Sequence, residues 1–172
     1  MKTYVMVFLL VGLNNLTIAQ QNDLVAYTPS HKSVNTTSKV AFNTAYLNTV
    51  NHQDFAKKIQ TFQNAVANYN IKASDIYQPK SNDNYVVNFD EGGNHITAVY
   101  DKNGQLLTCL ENYKGIKLPY DLASKLTKDY PNWGIEKVDC KIQYSNQKQQ
   151  PLIVYQVVMN NENKTKKITL EL

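Results

Sequence analysis

Two cysteines are the residues whose type and spacing most clearly suggest chemistry in this chain of 172 residues. Cys109 and Cys140 are the full complement, and a protein exported to an oxidising compartment with two cysteines is a candidate for one disulfide. Cys140 alternates in phase with Val138 and Ile142, which predicts a side chain on the buried face of a strand. Whether the two sulfurs can meet depends on the face that Cys109 occupies.

The turn before Cys109 decides that face. Residues 101–104, Asp-Lys-Asn-Gly, predict a β-hairpin turn, because Asn-Gly tolerates the positive φ that such turns need. A two-residue loop places Cys109 on the core face with Leu107, where it can meet Cys140. A three-residue loop with a bulge at Gly104 places a different set there: Leu106, Thr108 and Leu110. The sequence therefore leaves open a disulfide and two unpaired, buried thiols.

The three histidines do not suggest a catalytic or metal centre. His31 lies in a polar segment, His52 at a predicted helix start and His95 beside a predicted turn, and each is interpreted as solvated. The chain has no nucleophile elbow, no glycine-rich phosphate loop and no His-Glu-x-x-His motif. We therefore expect no enzyme activity, no metal and no cofactor.

Aromatic residues near loops are the candidates for partner binding. Tyr113, Tyr120, Tyr130 and Trp133 flank the second predicted helix. Exposed aromatics of this kind often anchor protein partners. The alternative is that Tyr130 and Trp133 close the hydrophobic core where the helix ends.

The charge pattern argues against nucleic acid as a partner. The net charge is +4, and every basic residue is lysine. Phosphates and guanine edges are usually held by the bidentate guanidinium of arginine, which this chain lacks. Lys164, Lys166 and Lys167 form the one clear group, interpreted as a solvated strand edge that resists pairing.

The N-terminal residues predict export. Lys2 precedes an apolar stretch from Val5 to Leu13, and small residues at Thr17 and Ala19 fit a signal-peptidase site, so we predict a signal peptide over 1–19. The stretch is too short to span about 30 Å of hydrocarbon. We expect a periplasmic or extracellular protein that is not inserted in the membrane after the signal is removed.

The remaining pattern predicts one α+β domain after a polar segment at 20–50. Two helices are expected, one over about 52–69 and one from Pro119 to Tyr130, each followed by strands. We predict tandem α-β-β-β units over 51–112 and 113–172, with the helices on one face of an antiparallel sheet. A shift of one half along the other aligns Tyr85 with Tyr155 and Tyr100 with Leu170. The opposite sheet face would carry four valines: Val86, Val99, Val154 and Val158.

Three segments together resemble a known family. They are Tyr-Asp-Lys-Asn-Gly-Gln-Leu-Leu at 100–107, Leu-Pro-Tyr at 118–120 and Lys-Asp-Tyr-Pro-Asn-Trp at 128–133. The set is similar to secreted PepSY-like proteins, which are related in fold to β-lactamase inhibitor protein. The resemblance covers residues 51–172 and implies a tandem helix-on-sheet domain that acts by binding. It carries over no inhibitory residues.

The sequence therefore predicts an exported, non-enzymatic binding module whose protein partner is not identified. An inhibitor of a hydrolase and a ligand sensor of the cell envelope both fit this class. A structural protein of the envelope is the alternative.

Overall fold

A computed structural model describes residues 24–28, 42–50 and 55–172 of the protein. The predicted signal peptide lies outside the described residues. The helices are α1 (Thr44–Val50), α2 (Lys57–Ala67) and α3 (Tyr120–Asp129), with a short 3-10 turn at Ile71–Ala73. The strands are β1 (Leu24–Thr28), β2 (Tyr85–Glu91), β3 (Asn94–Tyr100), β4 (Leu106–Tyr113), β5 (Gly134–Ser145), β6 (Leu152–Asn161) and β7 (Lys164–Glu171).

The seven strands of the described residues form a single sheet in chain order. Strands β2 to β7 pair antiparallel, each with its neighbour in sequence. Strand β1 pairs parallel with β2, and α1 and α2 form the connection between them. A parallel pair needs such a long crossover, whereas the antiparallel pairs need only short turns or, between β4 and β5, the helix α3. The predicted α+β class is confirmed.

The helix α2 forms because its apolar residues recur at helical spacing. Ile59, Phe62 and Val66 share one buried face, as the sequence predicts. Beyond the helix end, the ring of Tyr69 meets the ring of Phe89 at a centroid distance of 5.3 Å. The helix begins at Lys57, later than predicted.

The core is one layer between the helices and a single face of the sheet. On β3, burial alternates so that Ile96, Ala98 and Tyr100 are inaccessible to solvent while the residues between them are half-buried. The Tyr100 hydroxyl donates to the Val66 backbone carbonyl at 2.8 Å, so its polar end is satisfied inside the core. This bond ties the middle of the sheet to α2.

The two predicted α-β-β-β units are present as α2-β2-β3-β4 and α3-β5-β6-β7. The residue alignment proposed between them is wrong by one strand. It matches Tyr85 of β2 with Tyr155 of β6, although the strand that corresponds to β2 in the second unit is β5. Several strands of this chain share the same alternation of apolar and polar residues. A match of that alternation therefore does not show which strand of one unit corresponds to which strand of the other.

The polar segment at 20–50 contains two elements that its composition does not predict. Leu24–Thr28 joins the sheet as β1, and Thr44–Val50 forms α1. Tyr46 and Val50 of α1 are buried, whereas Phe42 is 63% exposed. Residues 24–28 and 44–50 of the segment are therefore part of the domain.

The hairpin between β3 and β4 combines features of both predicted turns. The Gly104 N–H donates to the Asp101 carbonyl at 3.0 Å, and Gly104 has a φ of 87°, so the loop has three residues with a glycine bulge. A second irregularity follows, because Tyr100 pairs with Leu106 while Val99 pairs with Thr108. Leu106 and Cys109 therefore both face the core.

Candidate binding surface on the open face of the sheet

The face of the sheet opposite the helices, called the open face here, carries more apolar side chains than a fully solvated face needs. Leu110 is 42% exposed at its centre. It lies in one cross-strand row with Thr97 and Gln143, and Leu152 ends that row. The half-buried valines of this face are Val86, Val99, Val154 and Val158. All four predicted valines therefore lie on this face.

The apolar residues form two groups. Val86, Val99 and Leu110 lie on β2, β3 and β4, and a second group lies on β6. The open-face residues of β5 separate them with polar side chains: Asp139, Lys141, Gln143 and Ser145. A depression of about 440 Å³ lies beside the first group, lined by Val99 and Thr108 among others. The surface is thus mixed, with two apolar areas around a polar strand.

A polar quartet (Asn88, Asp90, His95 and Thr97) borders the first apolar group. His95 Nδ1 lies 2.7 Å from Asp90 Oδ1, and His95 Nε2 lies 3.0 Å from Thr97 Oγ1. The Thr97 hydroxyl donates to Asn88 Oδ1 at 2.9 Å. Asp90 and His95 are directly paired across β2 and β3, as are Asn88 and Thr97. With 39% of its side chain exposed, His95 is partly solvated as predicted, and it also belongs to the hydrogen-bonded quartet.

The order Asp90, His95, Thr97 matches that of acid, base and nucleophile in a hydrolytic triad. A base must accept the proton of the nucleophile, and the Thr97 hydroxyl lies within hydrogen-bond distance of both His95 Nε2 (3.0 Å) and Asn88 Oδ1 (2.9 Å). The quartet forms one hydrogen-bonded polar patch that can offer hydrogen bonds to a partner, and Asp90 Oδ2 within it is buried and has no hydrogen-bond partner among the described residues.

A buried carboxyl with a perturbed pKa lies on the helix side of the sheet. Glu111 is inaccessible to solvent and accepts hydrogen bonds from Tyr46 (2.7 Å), Gln63 (2.9 Å) and Tyr113 (2.6 Å). These four residues, the Glu111 network, join α1, α2 and β4. Its three donors are neutral side chains, so the carboxyl is held by hydrogen bonds alone.

Burial decides the ionisation of this network. It raises the pKa of the Glu111 carboxyl, while the hydrogen bonds from Tyr113, Gln63 and Tyr46 oppose that shift. Burial, together with the nearby Glu111 charge, also raises the pKa of the Tyr113 hydroxyl. Gln63 Oε1 is buried and has no hydrogen-bond partner among the described residues. The network is enclosed by the core, so its evident role is to hold the helices on the sheet.

The candidate disulfide does not form. Cys109 and Cys140 are both buried and free. Cys109 pairs with Tyr144 across β4 and β5, whereas Cys140 pairs with Tyr113, so four residues separate the two positions along the strands. That offset is about 13 Å, well beyond the reach of a disulfide. Burial raises the pKa of the Cys140 thiol to about 12, which leaves it protonated and unreactive.

The four aromatic candidates fall into three environments. Tyr113 is 1% exposed and belongs to the Glu111 network, so its assignment as an exposed anchor is wrong. Tyr120 is 82% exposed at the start of α3. Tyr130 and Trp133 are half-buried, and Lys166 Nζ lies 4.4 Å and 5.4 Å from their ring centroids. Tyr130 and Trp133 thus pack against the core edge and hold a lysine of β7 by cation–π contact.

Comparison with known proteins gives no assignment. No family model, curated protein or solved structure matches this chain. Within residues 24–28, 42–50 and 55–172, no group of three or more His, Cys, Asp or Glu side chains is placed to hold a metal ion. The described helices include none long and apolar enough to cross a membrane.

The sequence analysis did not identify the buried Glu111 or the pair of Asp90 and His95, although the sequence contains a signal for each. Glu111 stands in phase with Cys109 and Tyr113, so an inward carboxyl follows once the face of Cys109 is known. The turn predicted beside His95 already implies that Asp90 faces His95 across the hairpin.

Proposed function

We propose that the protein is an exported, non-enzymatic binding module whose open face docks a protein partner. The observation that carries this proposal is the apolar content of that face, centred on Leu110 with 42% of its surface exposed. Exposed apolar side chains grouped on one face are typical of protein-interaction sites.

The layout of the open face suggests what the partner offers. Apolar groups on both sides of β5 fit a partner with two apolar contacts around a polar centre. The charged residues between the two groups include Lys141 and Asp139, and polar positions of this kind set orientation and specificity. The quartet around His95 adds groups that can accept or donate hydrogen bonds at the rim.

The sequence supports a non-enzymatic role, because it contains no recognisable nucleophile elbow, glycine-rich phosphate loop or His-Glu-x-x-His motif. The resemblance to PepSY-like proteins, which stays a prediction, favours binding as well. A hydrolase inhibitor, an envelope sensor and a structural envelope protein differ in the partner that they meet, so identifying the partner separates them.

Quantitative capture from native envelope and culture medium tests the proposal. Leu110→Lys places a charge at the centre of the open face and should abolish capture of a partner that the wild type enriches. Thr127→Lys adds the same charge to an exposed site on α3 and should leave capture unchanged. Equal capture by the wild type and Leu110→Lys would contradict docking on the open face.

A further inference from the structure

The strand β7 leaves one edge of the sheet open. In the described part of the chain β7 pairs only with β6, over a continuous register from Val154–Glu171 to Asn161–Lys164 without a bulge. It is eight residues long, and its positions 164–167 are all exposed. A long, regular edge strand is a template for pairing with another strand.

The hydrogen bonds of β6 and β7 show which backbone groups point outwards. The Leu172 N–H donates to the Ile153 carbonyl at 3.0 Å, so residues 153 and 172 form a hydrogen-bonded pair. Such pairs alternate along an antiparallel ladder. Thr165, Lys167, Thr169 and Glu171 therefore direct their backbone N–H and C=O groups away from β6.

We propose that β7 pairs antiparallel with β7 of a second copy of this chain, about a two-fold axis at Thr169. This goes beyond the proposed function and does not depend on it. In this register Thr169 lies opposite itself, and Lys167 lies opposite Glu171 of the second copy. Each of these pairs exchanges two backbone hydrogen bonds, because all three residues present their backbone outwards.

The side chains favour this register on both faces of the strand. On the open face, symmetry creates two Lys167–Glu171 ion pairs, which is charge complementarity between identical strands. On the helix side, the half-buried Ile168 lies opposite Leu170 of the second copy, so each copy covers an apolar residue that the edge leaves partly exposed.

The lysines select this register over its neighbours. An axis at Lys167 would place two Lys167 ammonium groups opposite each other, which is unfavourable. With the axis at Thr169, Lys164 lies outside the overlap, and Lys166 keeps its place over the rings of Tyr130 and Trp133. The lysine group that was interpreted as blocking edge pairing blocks only the wrong registers.

Sedimentation of purified protein over a concentration series tests the dimer. The wild type should sediment as a dimer at high concentration. Lys167→Glu and Glu171→Lys should each weaken dimerisation about tenfold or more, since each converts two attractive pairs to repulsive ones. The double variant Lys167→Glu/Glu171→Lys should restore it. Lys164→Glu, with the same charge change outside the overlap, is the matched control and should dimerise like the wild type.

Three results would overturn the proposal: a wild type that stays monomeric, a double variant as weak as the single ones, or equal weakening by Lys164→Glu and Lys167→Glu. A monomer that binds an added extended, acidic peptide at β7 would show that the edge serves a different strand, and would also overturn it. Because capture through Leu110 is measured separately, failure of the dimer leaves the proposed function standing.

Discussion

Glu111 offers the sharpest test of how the helices are held on the sheet. Its carboxyl is the common acceptor for Tyr46 on α1, Gln63 on α2 and Tyr113 on β4. Glu111→Ala leaves three buried donors without an acceptor, and an unpaired buried group costs about 1–3 kcal/mol. Because local rearrangement recovers part of that cost, we expect the free energy of unfolding to fall by about 3–5 kcal/mol. That is a large fraction of the roughly 5–15 kcal/mol typical of a folded domain.

The pH dependence of stability tests the ionisation of the same group. The folded-state pKa of Glu111 is raised by burial, so the native protein keeps this proton when the unfolded chain has lost it. Stability contributed by the neutral carboxyl is therefore fully present below the unfolded pKa of about 4.3. It is lost as the pH rises through the folded pKa. Glu111→Gln has no such proton, so the stability of the wild type relative to this variant should decline with rising pH.

Urea unfolding followed by the fluorescence of Trp133, the only tryptophan, provides the assay over a pH series. Glu111→Gln keeps the shape and one acceptor oxygen and should lose only about 1 kcal/mol in acid. Parallel stability curves for the wild type and Glu111→Gln would refute the raised pKa. A loss below about 1 kcal/mol for Glu111→Ala would refute the structural role of the network.

Three further predictions follow from local geometry. Cys109 and Cys140 should resist a thiol reagent in the folded protein and react after denaturation, because burial raises the pKa of both thiols. Mass spectrometry of the labelled protein checks this. A purified form with a Cys109–Cys140 disulfide would contradict the strand register. Gly104→Ala should lower the free energy of unfolding by about 1–3 kcal/mol, because Gly104 has a φ of 87°; an unchanged urea midpoint would contradict the turn. Lys166→Ala should shift the fluorescence emission of Trp133 and lower the free energy of unfolding by about 0.5–1 kcal/mol, whereas Lys166→Arg should leave the emission and the stability unchanged. Identical emission spectra for the wild type and Lys166→Ala would contradict the cation–π contact.

Strands β2 to β7 and two of the helices could be predicted because their burial follows simple periods. On β3 every second side chain enters the core, and on α2 the buried positions recur every three or four residues. Such patterns identify the element and its inward face. They do not identify equivalent strands in two units, as the match of Tyr85 with Tyr155 shows.

The elements that were missed depend on contacts distant in sequence. Tyr46 is buried because α1 lies against Glu111 and Tyr144, which are more than sixty residues away. The face of Cys109 depends on a bulge at Leu107 that follows the Gly104 turn. A two-residue loop and a three-residue loop each predict at most one irregularity, whereas the hairpin has two in succession. The free thiols follow from the β4–β5 register, which the order of the strands alone does not fix.

Site-specific photo-crosslinking in the native host tests directly whether a protein partner docks on the open face. A photoreactive residue at Gln143 lies on the open face between Leu110 and Leu152, and one at Lys125 lies at an exposed site on α3. We expect a crosslink to one defined protein partner from position 143 and none to that partner from position 125. Crosslinks to the partner from position 125 alone would contradict docking on the open face.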